Sequence, residues 1–330
     1  VRRRLLTAAA LFALILGCFG GTYLWLVKSW QSPGPLPADL TLIIPKGAGL
    51  SGIADILAAN GVIARSDLFM LGLFVEGGSR NLRAGEYAFR RQISMAETVD
   101  LLRLGRVVQH RITIPEGWTV AEVIEHLRAL DFLDGDGPTG LPTEGSIRPD
   151  TYFVERGADR NQLVQRMVMA QTATLGTLMA TFPKNPLLPD AHSIVVLASI
   201  VERETSIEAE RPRVARVFLN RLQSKMRLQS DPTVIYGLSG QRSSLDRMLT
   251  REDLRQPSPW NTYVIDALPA SAICNPGPAS IQAVLAPAED DSLYFVADGS
   301  GGHAFARTLD EHNRNVARWR HMQPGTKPTP

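Results

Sequence analysis

Two carboxylates at the end of an apolar run are the residues whose placement bears most on chemistry. In Ala198-Ser199-Ile200-Val201-Glu202-Arg203-Glu204-Thr205, Glu204 follows Val201 by three positions, Ile200 by four and Leu197 by seven. On a helix these residues share one face, so Glu204 prolongs an apolar stripe. A carboxyl in that setting is partly desolvated, which favours its neutral, proton-donating form. The C-terminal end of the helix dipole disfavours a negative charge there too. The chemistry this allows is general acid catalysis; the competing reading is a salt bridge to Arg203, Arg211 or Arg213. Glu202 follows Ala198 and Ser199 on a different face and reads as structural, the holder of a neighbouring arginine.

Other candidates are loops that mix polar and aromatic side chains. Leu228 to Tyr236 offers Ser230, Asp231, Thr233 and Tyr236, although Asp231 before Pro232 is also an ordinary turn or cap signal. Asn261-Thr262-Tyr263 and Asn275-Pro276-Gly277 are of the kind that lines sugar clefts, and Gly299 to Phe305 reads as a hairpin turn. No metal or cofactor is expected. The six histidines form no His-x-x-x-His pair, and Cys18 and Cys274 supply neither a Cys-x-x-Cys motif nor a disulfide framework. A net charge of +2 gives no electrostatic footprint for nucleic acid.

The elements that must hold these residues follow from periodicity and breakers. Ile194 to Val201 is apolar almost all round and reads as a buried helix, with Asp190 as its cap. Thr205-Ser206-Ile207-Glu208 has the pattern of a capping box for the next helix, whose apolar face is Val214, Val217, Phe218 and Leu222. Gln162 to Met179 predicts an amphipathic helix, Asp134 to Ser146 a loop, Ser292 to Ala297 a buried strand and Asp310 to Trp319 a last helix, with Lys327 to Pro330 frayed. Upstream, Leu40 to Ile44 and Gly85 to Phe89 read as strands. Ile53 to Leu57, Asp67 to Phe74 and Ala96 to Leu104 read as helices. Ile44-Pro45-Lys46-Gly47 and Ile114-Pro115-Glu116-Gly117 are each followed by apolar residues at matching offsets. A strand should end at each Pro, turn at Gly and enter a helix. The fold class is therefore α+β.

Leu5 to Val27 is a stretch of 23 residues without a charge. As a helix it spans about 34 Å at ~1.5 Å per residue, enough for a bilayer core of about 30 Å. Arg2, Arg3 and Arg4 precede it and Lys28 follows, so the positive-inside rule keeps the N-terminus in the cytoplasm and exports the rest. Tyr23, Trp25 and Trp30 are expected at the outer interface. Leu16-Gly17-Cys18 also has the look of a lipoprotein cleavage box, but Phe19 to Val27 stays largely apolar, which suits a continuing span. Residues 1–30 then form the cytoplasmic stub and anchor, and 31–39, with three prolines, a stiff linker.

Taken in order, several stretches resemble one family. They are Pro149-Asp150-Thr151-Tyr152, Ala198 to Thr205, Val217-Phe218-Leu219-Asn220-Arg221-Leu222, Gln229 to Gly237, Asn261-Thr262-Tyr263, Tyr294 to Gly299 and Gly302 to Phe305. Together they resemble the endolytic murein transglycosylases, the YceG-like family. Ser146-Ile147-Arg148 and Ala267 to Ser271 depart from the family pattern, in loops. The resemblance implies an inner-membrane anchor, a LysM-like module over residues 40–110 and a catalytic domain over 111–330 in the periplasm. It also implies cleavage of peptidoglycan between MurNAc and GlcNAc, leaving 1,6-anhydro ends. Glu204 matches the family's catalytic acid; Ser230, Asp231, Thr233, Tyr236, Asn261 and Tyr263, read from the residues themselves, are the candidates for orienting the sugar around it. Peptidoglycan strands, the membrane and peptidoglycan synthases are the implied partners. A non-catalytic peptidoglycan-binding scaffold fits the anchor and the LysM-like region equally well; the apolar setting of Glu204 favours the enzyme. A muramidase would share the substrate and differ in product.

Overall fold

The computed structural model describes residues 2–75 and 82–322, so the expected fraying of Lys327 to Pro330 lies outside the described residues. The elements in chain order are α1 (Arg2–Gln31), β1 (Leu40–Ile44), α2 (Leu50–Ala59), α3 (Ser66–Val75), β2 (Gly85–Phe89), α4 (Met95–Leu104), β3 (Gln109–Thr113), α5 (Val120–Arg128), β4 (Leu133–Asp134), β5 (Thr151–Glu155), β6 (Ala158–Asp159), α6 (Arg160–Thr181), α7 (Ala191–Glu204), α8 (Arg211–Gln223), α9 (Asp231–Leu238), α10 (Pro278–Leu285), β7 (Tyr294–Ala297), β8 (His303–Ala306) and α11 (Leu309–Met322). The α+β expectation holds. The chain divides into two compact units: Val1–His110 with Phe153–Arg156, and Arg111–Tyr152 with Gly157–Pro330.

In the first unit β1 and β2 pair antiparallel, Leu40 opposite Phe89 and Ile44 opposite Gly85. Their buried residues Ile44, Tyr87 and Phe89 meet Ile53 and Leu57 of α2, Phe69 and Leu73 of α3, and Val99 and Leu102 of α4. Within α1, Ala10–Gln31 is long and apolar enough to cross a membrane, with a mean hydropathy of 2.0. Trp30 departs from the expected interfacial position. It is buried, tilted against Phe69 at 5.9 Å between ring centroids, and occupies the space left by Gly72, where an added Cβ would stand 2.3 Å from the indole. The last turn of α1 therefore belongs to this core. The segment read as a stiff linker is hydrogen-bonded to the turn after β2: Leu36 is buried, Gly34 N–H donates to Gln92 O (3.1 Å), and Gln92 N–H donates to Leu36 O (2.8 Å).

Both Ile-Pro-x-Gly stretches behave as their pattern predicts. Gly47 and Gly117 adopt φ of +82° and +80°, a conformation that glycine reaches without strain, and α2 and α5 follow. Thr119 and Glu122 close a reciprocal capping box at the start of α5.

The second unit is built around α7. Its buried residues Ile194, Leu197, Ala198, Ile200 and Val201 pack against α8, α9 and α10, and α6 packs on α10. The helix starts where expected: Asp190 accepts from Ser193 N–H (2.8 Å), and Ser193 Oγ donates to the Asp190 carboxylate (2.8 Å). Buried Ser199 is satisfied, donating to Val196 O and accepting from Ile273 N–H (2.7 and 3.0 Å).

Two local expectations need correction. Thr205 to Glu208 does not form a capping box. Thr205 Oγ1 accepts from Ile207 N–H (3.1 Å), a 3-10 turn spans Glu208–Glu210, and α8 starts at Arg211 with Pro212 in its first turn. Pro212 has no N–H to offer a cap, so the start of the helix needs less from side chains. The strand expected from Ser292 to Ala297 begins at Tyr294, and its residues are half-buried, with Tyr294 and Phe295 bordering a cavity.

Candidate active site

Glu204 is the last residue of α7, and the helix ends because Thr205 turns to extended backbone (φ −142°, ψ 132°). The carboxyl is half-buried and lines a cavity of about 390 Å³, within the range of small-molecule sites. α8 contributes Phe218 and Arg221 to this cavity, the turn before α9 Leu228 and Gln229, α9 its first residue Asp231, β7 Tyr294 and Phe295, α11 Leu309 and His312, and a loop Tyr263. Burial pushes the Glu204 carboxyl up to about 7, and the Asp231 charge pushes the same way. The hydrogen bond from Ser230 and the charges of His303 and Arg221 oppose it. Near neutral pH Glu204 can therefore both hold and release a proton.

Ser230 Oγ donates to Glu204 Oε1 at 2.5 Å. Ser230 is itself fixed: its N–H donates to Thr262 Oγ1 (2.9 Å), and Thr233 Oγ1 donates to its carbonyl (2.6 Å). Gln229 sits at φ +51°, which brings the chain round into α9. Asp231 opens α9, and Tyr263 O–H donates to its carboxylate at 2.6 Å.

The residues singled out from sequence separate into two groups. Glu204, Asp231 and Tyr263 line one cavity, and Ser230 stands behind Glu204. Thr233, Tyr236 and Asn261 are buried and do not line it. Thr233 locks Ser230 and Thr262. Asn261 donates to the carbonyls of Asp253, Leu254 and Gln256, and its Oδ1 accepts from Tyr263 N–H (2.9 Å). Tyr236 O–H donates to Glu144 (3.1 Å), with its ring edge-on to Trp260. Glu202, read as structural, accepts from Arg211 (2.9 Å) and from Gly277 N–H (2.9 Å).

Sequence reasoning passed over Arg221, Tyr294 and His312. Arg221 is buried, donates to the carbonyls of Leu293 and Leu228 (2.7 Å each), and lies over the Tyr294 ring at 5.4 Å. His312 stacks on the same Tyr294 ring, with centroids 5.2 Å apart. A polar residue at a buried helical position, such as Arg221 between Phe218 and Leu222, was the available signal. A second carboxyl, Glu144, is also pushed up to about 7 by burial. It is occupied by Val120 N–H, Gly145 N–H and Tyr236 O–H, and it does not line the cavity. Geometry therefore separates the two acids where titration alone does not.

Residues 42–318 match the YceG-like family. The chain belongs to that family. It is similar to a protein of Bacillus subtilis named endolytic murein transglycosylase, at 30% identity over 89% of each chain. A Streptococcus pneumoniae protein of the same name is 25% identical, with 84% of this chain matching 58% of that one. Among solved structures, a YceG-like protein from Listeria monocytogenes has a TM-score of 0.51 at 28% identity, covering 84% of this chain and 99% of the other.

Proposed function

We propose that this member of the family is a lytic transglycosylase, a lyase acting on peptidoglycan as its named relatives do, with Glu204 as its acid. The observation that carries the reading is a half-buried carboxyl, pushed up to about 7, on the wall of an open cavity with a serine hydroxyl on one of its oxygens.

The proton of Glu204 goes to the glycosidic oxygen between MurNAc and GlcNAc as the C1–O bond breaks. Positive charge develops on the MurNAc ring. The C6 hydroxyl oxygen of the same sugar bonds to C1, its proton passes to the Glu204 carboxylate, and a 1,6-anhydro end results. The nucleophile is part of the substrate, so its effective concentration is high and no water has to be positioned. Asp231 and Tyr263 orient the sugar across the cavity. Ser230 keeps the acid's second oxygen in place, and Thr233, Tyr236 and Asn261 act through the residues they hold.

The anchor reading supports action on nascent strands close to the membrane, ending their elongation. Three arginines before the apolar run and one lysine after it favour a cytoplasmic N-terminus and a catalytic unit in the periplasm, held to the inner membrane by a single pass. Residues 40–110 would bind glycan as a LysM-like module, and peptidoglycan synthases would be neighbours on the same strand.

Asp231 favours one alternative. It is a second carboxylate on the same cavity, as a hydrolytic muramidase requires for activating water. Digestion of un-crosslinked strands by the purified ectodomain, followed by borohydride and mass spectrometry, separates the two. Anhydro ends resist reduction and are the expected product. Fully reducible new ends would overturn the lytic reading, and no new ends would favour a binding scaffold.

A further inference from the structure

Tyr263 borders a second cavity of about 510 Å³, whose other walls are Arg227, Arg251, Leu254, Arg255 and Val264. Three guanidinium groups line it and no carboxylate does. Arg227 pairs with Asp266 (2.7 Å) and donates to Tyr263 O (2.9 Å). Arg251 and Arg255 are exposed and form no ion pair among the described residues. The buried acid between them in sequence, Asp253, is engaged by Arg247 and by Thr250.

The turn that carries these arginines is rigid and tied to the acid's cavity through one side chain. Asn261 Nδ2 donates to Asp253 O, Leu254 O and Gln256 O, while Asn261 Oδ1 holds Tyr263 N–H. One buried asparagine thus sets both the arginine-bearing turn and the tyrosine that faces Asp231. A ligand reaching from the Glu204 cavity past Tyr263 would meet positive charge set among the apolar side chains of Leu254 and Val264.

We propose that this second cavity is the subsite for the peptide stem carried by the muramyl residue, with Arg251 and Arg255 binding its carboxylates. The proposal rests on the function assigned to the Glu204 cavity. A stem combines free carboxylates with small apolar side chains, which matches a lining of arginines together with Leu254 and Val264. It hangs from the same sugar that is cut, which matches two cavities sharing one wall residue. The enzyme should then prefer stem-bearing strands over bare glycan.

The test uses un-crosslinked strands with stems intact and the same strands after an amidase has removed them. Cleavage is counted as shortening of the chains whatever the chemistry of the new ends, so the result stands apart from the choice between lytic and hydrolytic products. The wild-type protein should cut stem-bearing strands faster. Arg251→Gln with Arg255→Gln should lower kcat/KM on those strands about tenfold, as two partly screened charge pairs allow, through KM and with kcat retained. Bare strands should be cut at the wild-type rate, and high salt should narrow the difference. Arg251→Lys with Arg255→Lys keeps the charge and should keep most of the preference. Equal losses on both substrates, or no loss on either, would overturn the assignment. So would unchanged cleavage together with lost binding to vesicles of anionic phospholipid, which would make the cavity a membrane contact.

Discussion

At the scale of single residues, the proposed mechanism needs Glu204 protonated at its start, and burial is what extends that state towards neutral pH. Activity should therefore fall as pH rises through about 7, and pH–rate profiles of the ectodomain would show it. Glu204→Gln retains the shape but supplies no proton, so turnover should drop by about 10²- to 10⁴-fold while glycan is still bound. A Gln variant with near wild-type turnover would remove Glu204 from its role. Ser230 acts in the opposite sense to burial: its hydroxyl donates to the carboxylate and stabilises the charged form. Ser230→Ala should move the alkaline limb to higher pH and cost about tenfold in rate below it, because the acid loses its fixed rotamer. An unmoved limb would mean that the 2.5 Å contact does not persist in the working enzyme.

At the scale of elements, α7 must deliver Glu204 to the cavity in a fixed register. Its start is set by the Asp190–Ser193 capping box, and Asp190→Ala should cost about 1 kcal/mol in denaturant unfolding. Near its end, Glu202 joins α7 to Arg211 of α8 and to the N–H of Gly277, just before α10. The two side chains are nearly enclosed, at 5% and 10% exposure, so the pair is costly to break. Glu202→Ala should lose about 3 kcal/mol, because the buried arginine keeps only its longer contact to Glu116 (3.3 Å) and Gly277 N–H loses its acceptor. The protein that remains folded should still turn over. Loss of turnover at unchanged stability would make Glu202 the chemical acid instead.

For the whole molecule, the raised carboxyls set an uncommon dependence of stability on pH. Glu204 and Glu144 hold protons in the folded state up to about 7, whereas unfolded carboxyls release them near ~4.3. Between those values the native state binds more protons, so stability is full below the unfolded range and is lost as pH rises through about 7. Asp253 works the other way. Its bonds from Arg247 and Thr250 hold it well below the ordinary range, so its contribution disappears only in acid. Tm should peak in mildly acidic buffer. Glu204→Gln should raise Tm at pH above 7 by a few degrees, on the order of 2–4 °C for each kcal/mol recovered, and leave it unchanged near about pH 4, below the unfolded carboxyl range. A Tm gain of the same size at both pH values would show that the carboxyl is not the source.

Much of this was legible along the chain, because it depends on near neighbours. The uncharged run of α1, the apolar stripe leading to Glu204, the Asp190 cap and the two Pro-Gly turns into helices are all set by residues a few positions apart, where periodicity and backbone preference act directly. The tertiary structure alone decided which way polar and aromatic side chains face. Asn261 and Tyr263 are two residues apart and look equally suited to a sugar, yet one is buried bonding to carbonyls and the other opens onto the cavity. Trp30 and Trp25 look alike as interfacial anchors, yet the space left by Gly72, 42 positions on, draws one of them into a core. Arg221 and Glu204 lie on different helices, as do Tyr294 and His312 on strand and helix, and each pair meets only when those elements pack. Hydrogen-bonding side chains satisfy either a backbone carbonyl or a ligand equally well. Residue type therefore leaves the choice open, and it is made by whichever distant element arrives beside them.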